Sequence, residues 1–172
     1  NTEETGDGSL RKAVDCVNST DTPVIVVFDL PQGTENEIKV FNQGFKITND
    51  KGVLIDPKTI QVSIVSATSA LPFAFELVNG SVTYKNLKFA DFGTALKINS
   101  GNSYKINNNT FHNNTISVHV SGGEGTLIDY NKFDSGSTGI KIGTAKVSIT
   151  QNKFAENGSL LNGVSLEGGD GT

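Results

Sequence analysis

The side chains best suited to acid–base chemistry are His112, Asp134 and Glu156, which follow one another at intervals of roughly 22 residues, the length of one solenoid coil. A histidine beside an aspartate can accept and return a proton, and two carboxylates about 5 Å apart can divide the work of a retaining glycosidase. The same residue types also suit a solvated turn in which charges pair loosely. Which description applies depends on how the backbone stacks these positions. Asp134 would lie beside His112 on the preceding rung and diagonal to Glu156 on the next.

The stacking is written in four phenylalanines. Phe89, Phe111, Phe133 and Phe154 recur with a period of roughly 22 residues, and the apolar positions around them are in register. Five places before each stand Tyr84, Ile106, Ile128 and Ile149; after the first three come Leu96 and Ile98, Val118 and Val120, Ile140 and Ile142. In the fourth copy the equivalent pair, Val164 and Leu166, sits three places later, as a small loop insertion would place it. Spacings of two within each cluster describe strands with one inward face. The Gly, Asn, Ser, Thr and Asp between clusters supply tight turns.

Short strands, sharp turns and a repeat of this length describe the coils of a parallel β-helix. One coil cannot bury its apolar face alone, so each strand must pair with its equivalent above and below. Phe89, Phe111, Phe133 and Phe154 would then form an internal column. Asn109, Asn131 and Asn152, two places before the last three, would form a ladder of amides bonding rung to rung. Upstream, Val24 to Phe28, Ile38 to Val40, Phe45 to Ile47, Val53 to Ile55 and Ile60 to Ile64 supply earlier strands, for about seven rungs in all at this period. Residues 1–20 read as a cap continuous with a single solenoid domain over 21–172. Within the cap, Leu10, Ala13, Val14 and Val17 mark an amphipathic helix over residues 9 to 18, with Ser9 as its N-cap. The helix would cover the apolar end of the first rung.

The run from Asn1 to Val14, with Gly6, Gly8, Ser9, Leu10, Arg11 and Ala13 at its centre, is followed by Phe28-Asp29-Leu30-Pro31. It resembles the opening of exported prokaryotic right-handed β-helix proteins of the pectin-lyase-like superfamily, and the later Asn-x-Phe rungs resemble that superfamily's generic rungs. The resemblance implies an all-β, right-handed, single-stranded parallel β-helix and export, but leaves activity open, because the fold carries lyases, hydrolases, adhesins and inert stalks. Pectate-lyase relatives use an arginine base and a cluster of acids holding calcium. The only arginine here, Arg11, falls on the cap helix. Polygalacturonase-like relatives need several aspartates side by side, whereas the column two places after each Phe reads Asp91, Asn113, Ser135, Glu156. His112, Asp134 and Glu156 remain as catalytic candidates.

A net charge of −4 with one arginine argues against a nucleic-acid partner. No apolar run reaches the length of a membrane span, so no membrane insertion is expected. The absence of Met fits a chain whose signal peptide has been removed, and hence an extracellular or cell-surface location. Whether this is a mature subunit or a piece of a longer protein stays open. Cys16 stands alone, to the side of the helix stripe, and reads as a partly buried thiol. No cofactor or metal is expected. Gly122-Gly123-Glu124-Gly125 and Gly168-Gly169-Asp170-Gly171 read as turns rather than calcium loops.

Five glycosylation sequons occur, at Asn18, Asn79, Asn108, Asn113 and Asn157, with Asn113 and Asn157 best placed. His119, in column with Lys97 and Lys141, reads as part of an exposed basic stripe able to attract acidic cell-surface glycans. Tyr130 and Phe92 are the candidate exposed aromatic platforms; Tyr84 and Tyr104 should point inward. The last rung, with Val164 and Leu166, lacks a helical, charged or proline-rich guard. Such an edge invites strand addition, and a head-to-tail contact propagates as a filament. Leu10, Val14, Val164 and Leu166 are the assembly candidates. The expected function is a non-catalytic structural or adhesive solenoid, with a carbohydrate-binding or polysaccharide-degrading β-helix protein as the alternative.

Overall fold

The computed structural model describes residues 1–68, 71–155 and 159–167. Three parallel strand stacks wrap one hydrophobic core, and each coil of the chain visits all three in turn. The first face holds Val24–Val26, Val53–Ile55, Val82–Lys85, Lys105–Asn107, Thr126–Asp129 and Val147–Thr150. The second begins with Glu35–Val40, Gln61–Ser66 and Leu87–Ala90, and the third with Phe45–Ile47, Phe73–Leu77 and Thr94–Ile98. Two longer strands, Thr110–Val120 and Lys132–Ile142, run through both. Lys153–Phe154 and Leu160–Leu166 stack on the two halves of the latter.

The first-face stack is six strands deep among the described residues, one fewer than an even division of the chain at the phenylalanine period expects. The early coils are longer. Val24 pairs with Val53 and Val53 with Val82, so each of these turns is about a third longer than the later ones, in which Tyr84 pairs with Ile106 and Ile106 with Ile128. The three-place slip of the fourth copy is present: Phe133 pairs with Phe154, but Ile140 pairs with Val164.

Two one-residue corners fix the cross-section. Asp91, Asn113 and Ser135 adopt left-handed backbone between the second and third faces, and Asn86, Asn108, Tyr130 and Gln151 do so between the first and second. Asn and Asp tolerate this conformation because their short polar side chains bond locally. Tyr130, with φ 54°, occupies a corner that its neighbours above and below fill with Asn or Gln.

Inside, the rings of Phe89, Phe111, Phe133 and Phe154 stack face to face at 5.4, 5.0 and 4.9 Å between centroids. Parallel pairing superimposes the rings, and the rung spacing of about 4.8 Å matches the distance at which offset aromatic faces attract. Beside them the Asn109, Asn131 and Asn152 amides form a continuous chain. Asn131 Oδ1 accepts from the Asn109 backbone N–H at 2.9 Å, and Asn152 Oδ1 accepts from that of Asn131 at 2.8 Å. Their Nδ2 groups donate to first-face carbonyls: Asn109 to Tyr84, Asn131 to Ile106, Asn152 to Ile128. The corner N–H groups of Leu87, Asn109 and Asn131 thereby find acceptors beside the core.

At the N-terminal end, α1 (Leu10–Asn18) buries Leu10, Val14 and Val17, and Ser9 Oγ accepts from the Lys12 N–H as N-cap. Arg11 locks this cap down. Its guanidinium pairs with Glu4 at 2.8 Å, donates to the Gln43 carbonyl and lies 4.8 Å above the Phe45 ring. Glu4 also accepts from the Asn42 backbone and side chain. The arginine is thus fully engaged in structure. Leu10 and Val14 are buried under the chain's own helix and present no surface to another copy, because the helix turns its apolar stripe onto the core. Cys16 is exposed rather than partly buried, since it falls on the solvent side of that helix.

Candidate functional site

The proposed acid–base residues meet in part. His112 and Asp134 pair directly in the parallel register, and His112 Nδ1 lies 3.5 Å from Asp134 Oδ2 and 3.4 Å from Ser135 Oγ. Asp134 is the more sheltered partner, its side chain 15% exposed against 48% for His112. With Nδ1 turned to two oxygens, Nε2 is the atom left for proton exchange. On the preceding rung Ala90 pairs with His112 in the same column. Glu156, the third member, lies outside the described residues.

The third face carries charge as well, differently from the basic stripe expected. Lys46, Glu76, Lys97, His119 and Lys141 share one column through successive pairings. Glu76 bonds Lys97 at 3.0 Å and Asn99 at 2.9 Å, with Lys46 at 3.7 Å. Glu167 bonds Lys141 at 2.6 Å and approaches His119 at 3.5 Å. The strip mixes both signs and His119 is only 20% exposed at its side chain, so it is a set of ties between rungs. Burial first, then the Lys141 cation, pushes the His119 pKa down.

Hydrogen bonds from Lys97 and Asn99 hold the Glu76 carboxyl below its ordinary value, and those from Lys88 and Ser63 do the same for Glu35. A carboxylate whose pKa is depressed by folding stabilises fully above the unfolded value and loses that contribution as pH falls through the folded one. The melting temperature should therefore hold steady from neutral pH to about 5 and fall below the ordinary glutamate value of 4.5. Circular dichroism melts of Glu76→Gln should show a shallower acid decline. An unchanged acid limb would assign the loss to other carboxylates.

A groove of about 510 Å³ opens on the second face, where the segment Lys58–Ile60 stands beside strands contributing Glu35, Ser63, Lys88 and Thr110. Glu35 and Lys88 form a 2.8 Å ion pair, and Ser63 Oγ donates to the same Glu35 oxygen at 2.6 Å. Asn86 and Asn108 form its corner wall. Asn108 Nδ2 donates to Asn86 Oδ1, and Asn86 Nδ2 donates to Asp56 at 2.7 Å. Tyr130, 57% exposed, occupies the same corner one rung further along.

Of the two aromatic candidates, only Tyr130 is exposed; Phe92 is buried. The left-handed residue Asp91 resets the in–out alternation, so the side chain after it turns inward. Tyr84 and Tyr104 are buried as expected. Among the sequons, Asn18 spends its amide on Lys46 and Thr48 backbone, and Asn113 donates to Asp91 at 2.7 Å. Asn79 and Asn108 are exposed, and Asn157 lies outside the described residues, as does Gly168-Gly169-Asp170-Gly171. At the last described strand, Leu161, Val164 and Leu166 are exposed.

Comparison with protein families gives one decisive result: the sequence matches the family described as the right handed beta helix region over residues 34–172. The chain belongs to this family. No curated protein and no solved structure matches it. The matched span of this β-helix includes the Phe and Asn columns, His112, Asp134, the groove and Tyr130, while the cap helix lies before it. Sequence reading did not find the groove of the β-helix. The Glu35–Lys88 pair spans 53 residues and two unequal coils, so no fixed period signals it. Glu76 was within reach, since it precedes Lys97 by one 21-residue coil.

Proposed function

We propose that this β-helix is a non-catalytic, exported structural or adhesive solenoid that joins further copies end to end through its last rung. The observation that carries the reading is the strand Leu160–Leu166. It pairs on one side with Lys132–Ile142, and among the described residues its other edge has no partner. It also displays Leu161, Val164 and Leu166 to solvent. A parallel strand edge flanked by apolar side chains favours addition of another strand. The opposite end offers Ile25 and Val27, both exposed, beside the helix that seals the core. A contact between unlike ends repeats without closing and so builds a fibre.

Export and a place in the pectin-lyase-like superfamily of prokaryotes are supported by the Asn1–Val14 run. The interior supports a mechanical role: stacked rings and amides tie successive coils together. Electron microscopy of native material and light scattering of the purified chain test the proposal together. Filaments, with concentration-dependent association abolished by Val164→Lys plus Leu166→Lys, are the expected outcome. A monomer at every concentration, without filaments in native material, would remove it.

A further inference from the structure

We infer that the edge strand Val24–Val26 receives the last-rung strand Val147–Thr150 of a second copy, in parallel, with Ile25 beside Ser148 of that copy. The inference rests on the end-to-end reading and names the face, the strands and the register of the joint. Three strand edges meet at the N-terminal pole, one for each face, and two of them are guarded. On the third face α1 packs against Phe45–Ile47. The Asn18 amide takes up that edge, donating to the Lys46 carbonyl at 2.8 Å and accepting from the Thr48 N–H at 2.9 Å. On the second face Glu35, Glu37 and Lys39 line the exposed side of Glu35–Val40, and Asn36 donates to the Pro31 and Thr34 carbonyls of the segment before it. Charge along an edge strand discourages pairing.

The first-face edge has neither guard. Among the described residues Val24–Val26 pairs only with Val53–Ile55. No charged residue stands between Pro23 and Phe28, and Ile25 and Val27 are 62% and 74% exposed. The Val24 N–H donates to the Gly52 carbonyl, so the alternation of the ladder turns the Ile25 N–H and carbonyl to the open side.

At the other pole the same sheet ends in Val147–Thr150, which among the described residues pairs only with Thr126–Asp129. Thr150 gives its carbonyl to the Tyr130 N–H, so here Val147 and Ile149 turn their backbone groups outward. A parallel joint sets the N–H and carbonyl of one residue between a carbonyl and an N–H two residues apart on the other strand. Ile25 between Val147 and Ile149 meets that condition, donating to the first and accepting from the second. The same register extends the inward column of Val26, Ile55, Tyr84, Ile106 and Ile128, because Ile149 already follows Ile128 and would arrive over Val26. Ile106 and Ile128 are fully buried, whereas Ile149 is half-buried. A notch of about 40 Å³ between Leu10 and Ala13 of the cap and Val26 and Ile38 takes the tip of its side chain. Backbone bonding and apolar contact thus select one register.

Cysteine cross-linking reads that register. In a Cys16→Ser background, Ile25→Cys with Ser148→Cys places two sulfurs on facing residues, whose Cα separation of about 4.8 Å lies in the disulfide range. Mild oxidation of the associated protein should give a ladder of covalent dimers, trimers and longer chains on non-reducing gels. Either single cysteine should stop at dimers, and the third-face pair Lys46→Cys with Ser165→Cys should give no ladder. Ile25→Lys with Val27→Lys, at exposed positions, should keep the melting temperature and weaken association about tenfold or more by light scattering. If the chain associates but the third-face pair forms the ladder, the first-face pair forms none, or the lysine variant associates normally, this joint is overturned while end-to-end assembly stands. A chain that stays monomeric at every concentration overturns both.

Discussion

Phe111→Ala should lower the unfolding free energy by about 3–5 kcal/mol, the range for deleting a fully buried aromatic ring. Phe111 has no solvent exposure and is stacked on both faces, against Phe89 at 5.4 Å and Phe133 at 5.0 Å. Removing it leaves a gap that the rungs cannot close, because their separation is fixed by backbone hydrogen bonds on three sides rather than by the rings. Phe111→Leu keeps much of the volume and should cost about 1–2 kcal/mol. Urea denaturation of both variants separates cavity from chemistry. A Phe111→Ala cost below about 1 kcal/mol would show that the column can collapse, contrary to a spacing set by the backbone.

The second large effect lies beside it. Asn131→Ala should cost about 1–3 kcal/mol, since it orphans the buried Asn109 N–H, whose acceptor is the Asn131 Oδ1. Asn131→Asp makes the sharper test. The new carboxylate keeps the acceptor for Asn109, but its second oxygen faces the carbonyls of Ile106 and Asp129 and the Asn152 Oδ1, which lie 2.8, 3.0 and 3.0 Å from the present Nδ2. Charge among acceptors raises the carboxyl pKa, so this variant should be least stable near neutrality and regain stability as acid protonates it. That trend opposes the acid loss expected from Glu76. If Asn131→Asp melted in parallel with the parent protein at all pH values, the amide would be a spacer, not a donor.

What could be read in advance follows from periodicity. Positions that recur once per coil, such as Phe89 to Phe154 and Asn109 to Asn152, reveal their stacking in one dimension because parallel pairing maps chain offset directly onto space. The cap helix was legible for a local reason, its Ser9 cap and apolar stripe. The first two coils are longer than the repeat, which hid both the rung count and the partners of Glu35. Phe92 misled because alternation resets at a left-handed corner, and two-residue periodicity carries no mark of that event. The acidic members of the third-face strip escaped because Glu76 precedes the first recognisable copy and Glu167 follows the last.

The parallel pairing also sets how the molecule answers to force. Its inter-rung hydrogen bonds point along the solenoid axis, so tension applied between the two ends loads them one coil after another instead of all at once. The chain would come off as from a spool. Each coil surrendered in the regular region releases roughly 75 Å of extended polypeptide in exchange for one rung of about 4.8 Å. A fibre of such units would yield under load by lengthening locally, with the intact coils behind the break ready to re-form the next one when tension drops.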